Sequence, residues 1–289
     1  IKMKSILITG AYGQLGESCS HYLKNNYKLI LSGIAPLNNS IKLDITDQQS
    51  VNNFLEKNNP DVIINLAAFT DVDKCELEEK KAYEINFNGV KNLCKNFSGH
   101  FIQISTDYVF DGINGPYNED DKTNPISIYG KTKLDAENWL INNYSKSTIL
   151  RSNVIYSYSQ KTKASFLKWI VESLIAKKPI KVVNDQWNNP TWTYSITEII
   201  NLLIEHEQYG LFHYADKDIL NRFQFSQLIA KVFELNDSMI SPISTDVLNQ
   251  QAPRPMKSGL LTKKIESVLE IEPKSVETCL NKIRKQLLE

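Results

Sequence analysis

The chain has 289 residues, 42% of them hydrophobic, with 33 basic and 33 acidic side chains and no formal net charge. That length can bury a large core and build one large domain with a smaller lobe, and the balanced charge argues against nucleic acid or an acidic membrane surface as partner. No apolar run approaches the ~20 residues that cross a bilayer. The opening Ile1-Lys2-Met3-Lys4-Ser5 runs into a strand pattern instead of a signal peptide, so the cytoplasm is the expected compartment.

Lys4 to Thr9 reads as a short buried strand leading into Gly10-Ala11-Tyr12-Gly13-Gln14-Leu15-Gly16. Leu15 and the stretch Cys19 to Leu23 continue at helical spacing, which puts the glycines at a strand-to-helix turn. Such glycines permit a tight turn and close approach of backbone amides to a pyrophosphate, while the helix N-terminus adds partial positive charge. Further strand patterns at Lys28 to Ser32, Val62 to Leu66, Phe101 to Ser105 and Ile149 to Arg151 alternate with helical stretches. This alternation predicts an α/β fold, a Rossmann-like doubly wound parallel sheet, with ligand at the carboxyl ends of the strands. Gly10, Ala67, Ala68, Thr106, Ser152 and Asn153 fall there. The second half, punctuated by Pro179, Pro190, Pro242, Pro253 and Pro255, reads as a smaller C-terminal substrate lobe. Cys19, Cys75, Cys94 and Cys279 are scattered without Cys-x-x-Cys pairing, which suits reduced thiols and predicts no metal site.

Tyr129 and Lys133 stand four residues apart, on one face of a helix, where the ammonium can favour phenolate over phenol. A lone tyrosine titrates near pH ~10, so a fixed neighbouring cation is a means of bringing it into range as a proton donor.

Together these stretches resemble the extended short-chain dehydrogenases/reductases, and within them the dTDP-4-dehydrorhamnose reductase group. The resemblance rests on the glycine turn, Asn65 to Glu76, Ala82 to Asn86, Ile104 to Gly112 and Tyr129 to Lys133, then on Asp185-Gln186, Pro190-Thr191 and Arg254 to Ser258. It implies interleaved lobes: a dinucleotide-binding domain at 1–155, with about 190–208 returning to it, and a substrate lobe at 156–189 and 209–289. It implies reduction of a 4-keto nucleotide-diphospho-sugar by NADPH or NADH. Tyr129 is then the proton donor, Lys133 its modulator and a holder of the nicotinamide ribose, and Thr106 the partner of the carbonyl oxygen. Thr106 is preferred to Ser105 because residues alternate faces at a strand end and the family motif has its hydroxyl there.

The resemblance further implies cofactor contacts from Gly10, Tyr12, Gly13, Gln14, Leu15, Gly16, Ser32, Asp44, Ile45, Ala67, Ala68 and Asn86. The competing reading of Asn86 is a buried helix amide, and the run from Asp44 to Asp47 also reads as a helix cap. The segment Leu31 to Pro36 carries no charge, so neither the acidic residue that favours NAD nor the arginine that favours NADP is present. Thr70, Val72, Asp107, Tyr108, Asn153, Val154 and Arg254 are the substrate-side candidates, Arg254 because a guanidinium fork suits a diphosphate. Rhamnose-forming relatives commonly carry tryptophan where Val154 stands and glycine where Asn188 stands. A homodimer is compatible with the resemblance. The alternatives are a nucleotide-sugar epimerase or dehydratase, and a non-catalytic binding protein like the regulatory subunit of methionine adenosyltransferase.

Overall fold

Apolar segments separated by helical chain satisfy their backbone groups by lining up as a parallel sheet covered on both faces. The computed structural model describes residues 3–35, 41–159 and 165–288. Its strands are β1 (Ser5–Thr9), β2 (Lys28–Gly33), β3 (Ile41–Lys42), β4 (Val62–Asn65), β5 (His100–Thr106), β6 (Ser147–Ser152), β7 (Ile155–Tyr156), β8 (Ile180–Val183), β9 (Trp187–Asn188), β10 (Thr191–Trp192), β11 (Gly210–His213), β12 (Leu220–Asn221) and β13 (Ile240–Ile243). The α-helices are α1 (Gln14–Leu23), α2 (Gln48–Asn58), α3 (Val72–Leu77), α4 (Glu79–Tyr83), α5 (Gly89–Lys95), α6 (Ile128–Asn143), α7 (Phe166–Ile175), α8 (Thr193–Glu205), α9 (Arg222–Val232), α10 (Lys263–Leu269) and α11 (Val276–Leu288).

Seven strands pair in parallel in the order β11-β6-β5-β4-β1-β2-β3. The direction of winding reverses between β1 and β4, which opens a ligand crevice at their carboxyl ends. The expected doubly wound sheet is thus present. Alternation along β1 sends Ile6 and Ile8 into the layer with α1 and α8, and Leu7 into the opposite layer with α2, α5 and α6. A separate core gathers Tyr156, Phe225, Leu280 and neighbours from α7, α9 and α11.

The division between lobes departs from the sequence expectation. Helix α8 does return to the sheet, with Ile196, Ile200 and Leu203 in the β1 layer and Ser18 Oγ donating to Thr193 Oγ1 at 2.7 Å. The sheet continues past residue 208, however, because β11 pairs with β6 and alternates Phe212 and Leu211 between the two layers. Ile265 and Leu269 of α10 join the same core. A cut at 209 therefore falls just ahead of a sheet strand.

Helix α6 is bolted to the sheet by a dry ion pair. Arg151 on β6 donates Nη2 to Glu137 Oε2 at 2.6 Å and Nε to Oε1 at 3.0 Å, and both side chains are at most 3% exposed. Ser105 donates to the same carboxylate, and His213 on β11 meets Arg151 Nη1 at 3.2 Å. Burial and the adjacent Arg151 push His213 down to about 3, so its ring is neutral. Removing one member strands a buried charge, at a cost of about 3–5 kcal/mol. Glu137→Leu is expected to lose about that much in urea unfolding, and a loss below about 1 kcal/mol would contradict the role given to the pair.

Candidate active site

The candidate catalytic residues meet where α6 begins beside the end of β5. Ser127 caps the helix by accepting from Gly130 N at 3.2 Å, and Glu76 accepts from Ile128 N at 2.7 Å. Gly130 is demanded by contact, since a Cβ there would lie 2.1 Å from Tyr108 O. The first turn of α6 is thereby pressed on the segment after β5, and the Tyr129 ring meets Tyr108 edge-on at 5.5 Å. The Thr106 hydroxyl accepts from Tyr108 N at 3.1 Å and donates to Asp107 Oδ1 at 3.1 Å, and it lies near enough to the Tyr129 phenol to draw its pKa down. Lys133, one turn along α6, donates Nζ to Ile104 O at 2.7 Å.

The electrostatics correct one sequence expectation. Burial pushes the Tyr129 phenol upward and the Asp107 charge adds to this, while Thr106 opposes it; the net direction is up, where the sequence expectation had Lys133 bring it down. The ammonium faces the β5 carbonyl instead, and burial lowers it to about 8 against the pull of Glu137. Tyr129 is therefore a protonated phenol at neutral pH, the form an acid requires. Asp107 is buried, accepts from Ser258 Oγ and is raised to about 6, burial outweighing its hydrogen bonds.

The three glycines of the turn have different duties. Gly10 has φ +63°, and a Cβ there would sit 2.8 Å from Leu66 O and Ala67 N; one on Gly16 would sit 2.6 Å from Ala11 O. Both serve close packing of turn, strand and helix. Gly13 is exposed, and a Cβ would meet only Gly10 O at 3.6 Å. It is also the N-cap of α1 and supplies no side-chain cap, so its open face and the first-turn amides fit a pyrophosphate. Ala67 N, which donates to Thr9 Oγ1 at 3.3 Å, and Ala68 border this turn at the end of β4. The Tyr12 ring packs against Gly33, with its hydroxyl buried and without a hydrogen-bond partner among the described residues, while Leu15 joins the core. Gln14 Oε1 accepts from Ser157 N and Oγ, both at 3.0 Å, linking the turn to the chain after β7.

Other cofactor candidates are engaged elsewhere. Ser32 is fully buried and donates its hydroxyl to Ile8 O at 3.3 Å, which turns it to the β1 backbone. Ile45 is a core residue against Gly89, and Asp44 Oδ1 accepts from Thr46 N and Oγ1 at 2.9 and 2.7 Å. The helix cap is Asp47, which accepts from Ser50 N. Asn86 lies in a π-helical turn, Glu84–Asn88. Its amide accepts from Phe69 N at 2.8 Å and donates to Phe69 O and Thr132 Oγ1, both at 3.1 Å. It acts as the buried clamp that was its competing reading, holding the chain after β4 to α6. Pro36, at the end of the uncharged segment, lies outside the described residues.

On the substrate side, Thr70 is exposed and Val72 opens α3 behind the Asp71 cap. Asn153 is 3% exposed and donates Nδ2 to Ser258 O at 3.2 Å. A carbonyl only accepts, so this bond fixes the amide orientation and turns Oδ1 away, where it has no partner among the described residues. Val154 has φ +44°, a conformation costing a branched residue about 1–3 kcal/mol. Arg254 does not present a free fork: Nη2 bonds Asp73 Oδ2 and Nη1 bonds Ala252 O, both at 2.9 Å. It anchors its own loop. Asn188 needs no left-handed backbone, because β9 is extended and pairs with β12. Sequence reasoning passed over Arg222, the first residue of α9, which stacks on Phe166 at 5.3 Å and whose charge acts on the Asp107 and Tyr108 region.

Among the described residues no cluster of His, Cys, Asp and Glu has the grouping of a metal site, and no helix is long and apolar enough to cross a membrane. Residues 3–288 match the family model described as RmlD substrate binding domain. The chain is 32% identical to a dTDP-4-dehydrorhamnose reductase of Aggregatibacter actinomycetemcomitans, over 98% of this chain and 99% of that one. It is 28% identical to methionine adenosyltransferase 2 subunit beta of Danio rerio, over 91% of this chain and 84% of that protein. Its fold superposes with TM-score 0.91 and 28% identity on dTDP-4-dehydrorhamnose reductase from Bacillus anthracis in complex with NADP, covering 99% of this chain and 100% of that one. With a glycine turn, a Thr106, Tyr129 and Lys133 constellation and a match over nearly its full length, the chain belongs to the RmlD substrate-binding family of the extended short-chain dehydrogenases/reductases.

Proposed function

We propose that this chain reduces the 4-keto group of a nucleotide-diphospho-deoxysugar with NADPH or NADH, in the manner of dTDP-4-dehydrorhamnose reductase. The observation that carries the reading is the meeting of Thr106, Tyr129 and Lys133 at the carboxyl edge of the sheet, beside a turn whose one open glycine fits a pyrophosphate. When bound, the dihydronicotinamide supplies a hydride to the carbonyl carbon. Tyr129, kept protonated by burial, delivers its proton to the carbonyl oxygen as negative charge develops there, and Thr106 fixes the direction of that oxygen. Lys133 donates one N–H to Ile104 O and keeps two for ribose hydroxyls. The described part of the β2 end, Gly33 to Ala35, carries no charge to select one cofactor over the other. The product would serve cell-surface polysaccharide synthesis in the cytoplasm, from a protein that assembles as a homodimer.

The intact catalytic set favours an enzyme over a binding subunit, and Tyr108 after Asp107, where dehydratases place glutamate, favours reduction over dehydration. Assay of the purified protein with NADPH and NADH against dTDP-, UDP-, GDP- and CDP-4-keto sugars tests the reading; no oxidation of cofactor with any of them contradicts it.

Tyr129→Phe should lower kcat by ~10²–10⁴-fold with cofactor affinity nearly unchanged, since only the general acid is lost; activity within threefold of wild type would sink the mechanism. Gly13→Val has room in the protein itself, so the fold should persist while its side chain blocks the pyrophosphate. NADPH titrations that match wild type would reduce the turn to a structural role. Asn153 Oδ1 and the small Val154 fit a 4-keto sugar that carries a hydrogen-bond donor absent from dTDP-4-dehydrorhamnose. Asn153→Ala and Val154→Trp should each shift preference toward dTDP-4-dehydrorhamnose. A wild-type kcat/KM above ~10⁵ M⁻¹s⁻¹ on that sugar would show instead that it is an ordinary substrate.

A further inference from the structure

A cation beside the site has been left without a partner. Arg222 is half-buried, stacks its guanidinium on Phe166 at 5.3 Å, and has no hydrogen bond or ion pair among the described residues. A cation held over a ring face by its π-system still has its N–H donors to offer. Phe166 is itself held, stacked on the fully buried Phe225 at 5.4 Å, so the platform under Arg222 is rigid. A stacked, unpaired guanidinium of this kind is organised to receive paired oxygens.

Backbone pairing puts that edge on the rim of the active site. Asn221, next to Arg222, pairs with Trp187. On its other side Trp187 N donates to Met256 O at 2.7 Å, and Trp187 O accepts from Ser258 N at 2.9 Å. Ser258 in turn holds Asp107 beside Thr106. Two-residue β9 is thus flanked by the segment bearing Arg222 and by the loop bearing Arg254, and this ribbon is fastened to the catalytic edge. Burial disfavours the charge on Arg222, with Arg254 adding to the effect and Tyr108 and Asp107 opposing it. Two like charges face one rim, but Arg254 is neutralised by Asp73 at 2.9 Å and Arg222 by nothing as close.

We propose that Arg222 is the residue that grips the diphosphate of the nucleotide-sugar substrate, with Arg254, paired with Asp73, holding its own loop in shape. This deepens the reductase reading and rests on it for the identity of the substrate. It reassigns the diphosphate contact from the arginine marked by sequence motif to one that no motif marks.

The test is calorimetric titration of the full chain, with NADPH present, using dTDP and thymidine as probes. Wild type should bind dTDP at least ~100-fold more tightly than thymidine, as expected for charge-assisted hydrogen bonds to a diphosphate. Arg222→Ala should cut that ratio at least ~10-fold with NADPH affinity unchanged, and should raise the KM of an accepted keto sugar far more than it lowers kcat. If the alanine variant loses NADPH binding through misfolding, Arg222→Lys carries the test. It keeps the charge without the planar fork and should cut the ratio severalfold. An unchanged dTDP-to-thymidine ratio in the folded variant, or a wild type with no preference for the diphosphate, overturns the proposal. The two readings fail separately. Arg222-dependent dTDP binding without reduction of any keto sugar supports the grip and removes the reductase. Reduction with a KM indifferent to Arg222 removes the grip alone.

Discussion

The ion pair between Glu137 and Arg151 is the constraint on which the rest of the site depends. It fixes the third turn of α6 against β6 in a dry interior, where Ser105 and His213 satisfy what the pair leaves open. With that turn fixed and Gly130 pressing the first turn against Tyr108 O, the helix has no freedom to slide. Tyr129 and Lys133 inherit their positions from a rigid element, which holds them to the tolerance that the proposed proton transfer needs.

The remainder of the site is a chain of contacts running from the sheet to the second core. Thr106 holds Asp107, Asp107 holds Ser258, and Asn153 donates to the carbonyl of Ser258. The loop that carries Arg254 is thereby stitched to the reacting edge, and β9 joins it to the start of α9. Gln14, in the glycine turn, reaches Ser157 in the same manner. Unpartnered atoms concentrate here too: Ser152 Oγ and Asn153 Oδ1 stand at the end of β6, beside the strained Val154. Orphan acceptors and backbone strain next to a catalytic edge are what a ligand can relieve.

The parts legible in the sequence were those fixed by local periodicity. β1 with its glycine turn is a short-range pattern, and so is the spacing that puts Tyr129 and Lys133 on one helix. What sequence could not convey is where a polar side chain turns once it is buried. Ser32 faces β1, Asn86 clamps Phe69 and Arg254 pairs with Asp73, all through partners far along the chain. The same holds for Lys133, whose ammonium meets a strand carbonyl in place of the phenol one turn away. β11 was missed as a sheet strand because four residues, Gly210 to His213, carry too little pattern to separate them from loop. Arg222 lacked any motif, and only the pairing of β9 with β12 draws it to the rim.

The most direct measurement of the central claim is the origin of the hydrogens in the product. The accepted keto sugar is reduced in heavy water with protonated cofactor, and in ordinary water with cofactor deuterated at the transferred position. If Tyr129 protonates oxygen while a hydride goes to carbon, the carbinol carbon carries cofactor deuterium and no ring carbon carries solvent deuterium by mass spectrometry and NMR. Solvent deuterium on a ring carbon, or cofactor deuterium missing from the carbinol carbon, would contradict a simple reductase and point to enolising, epimerase-like chemistry.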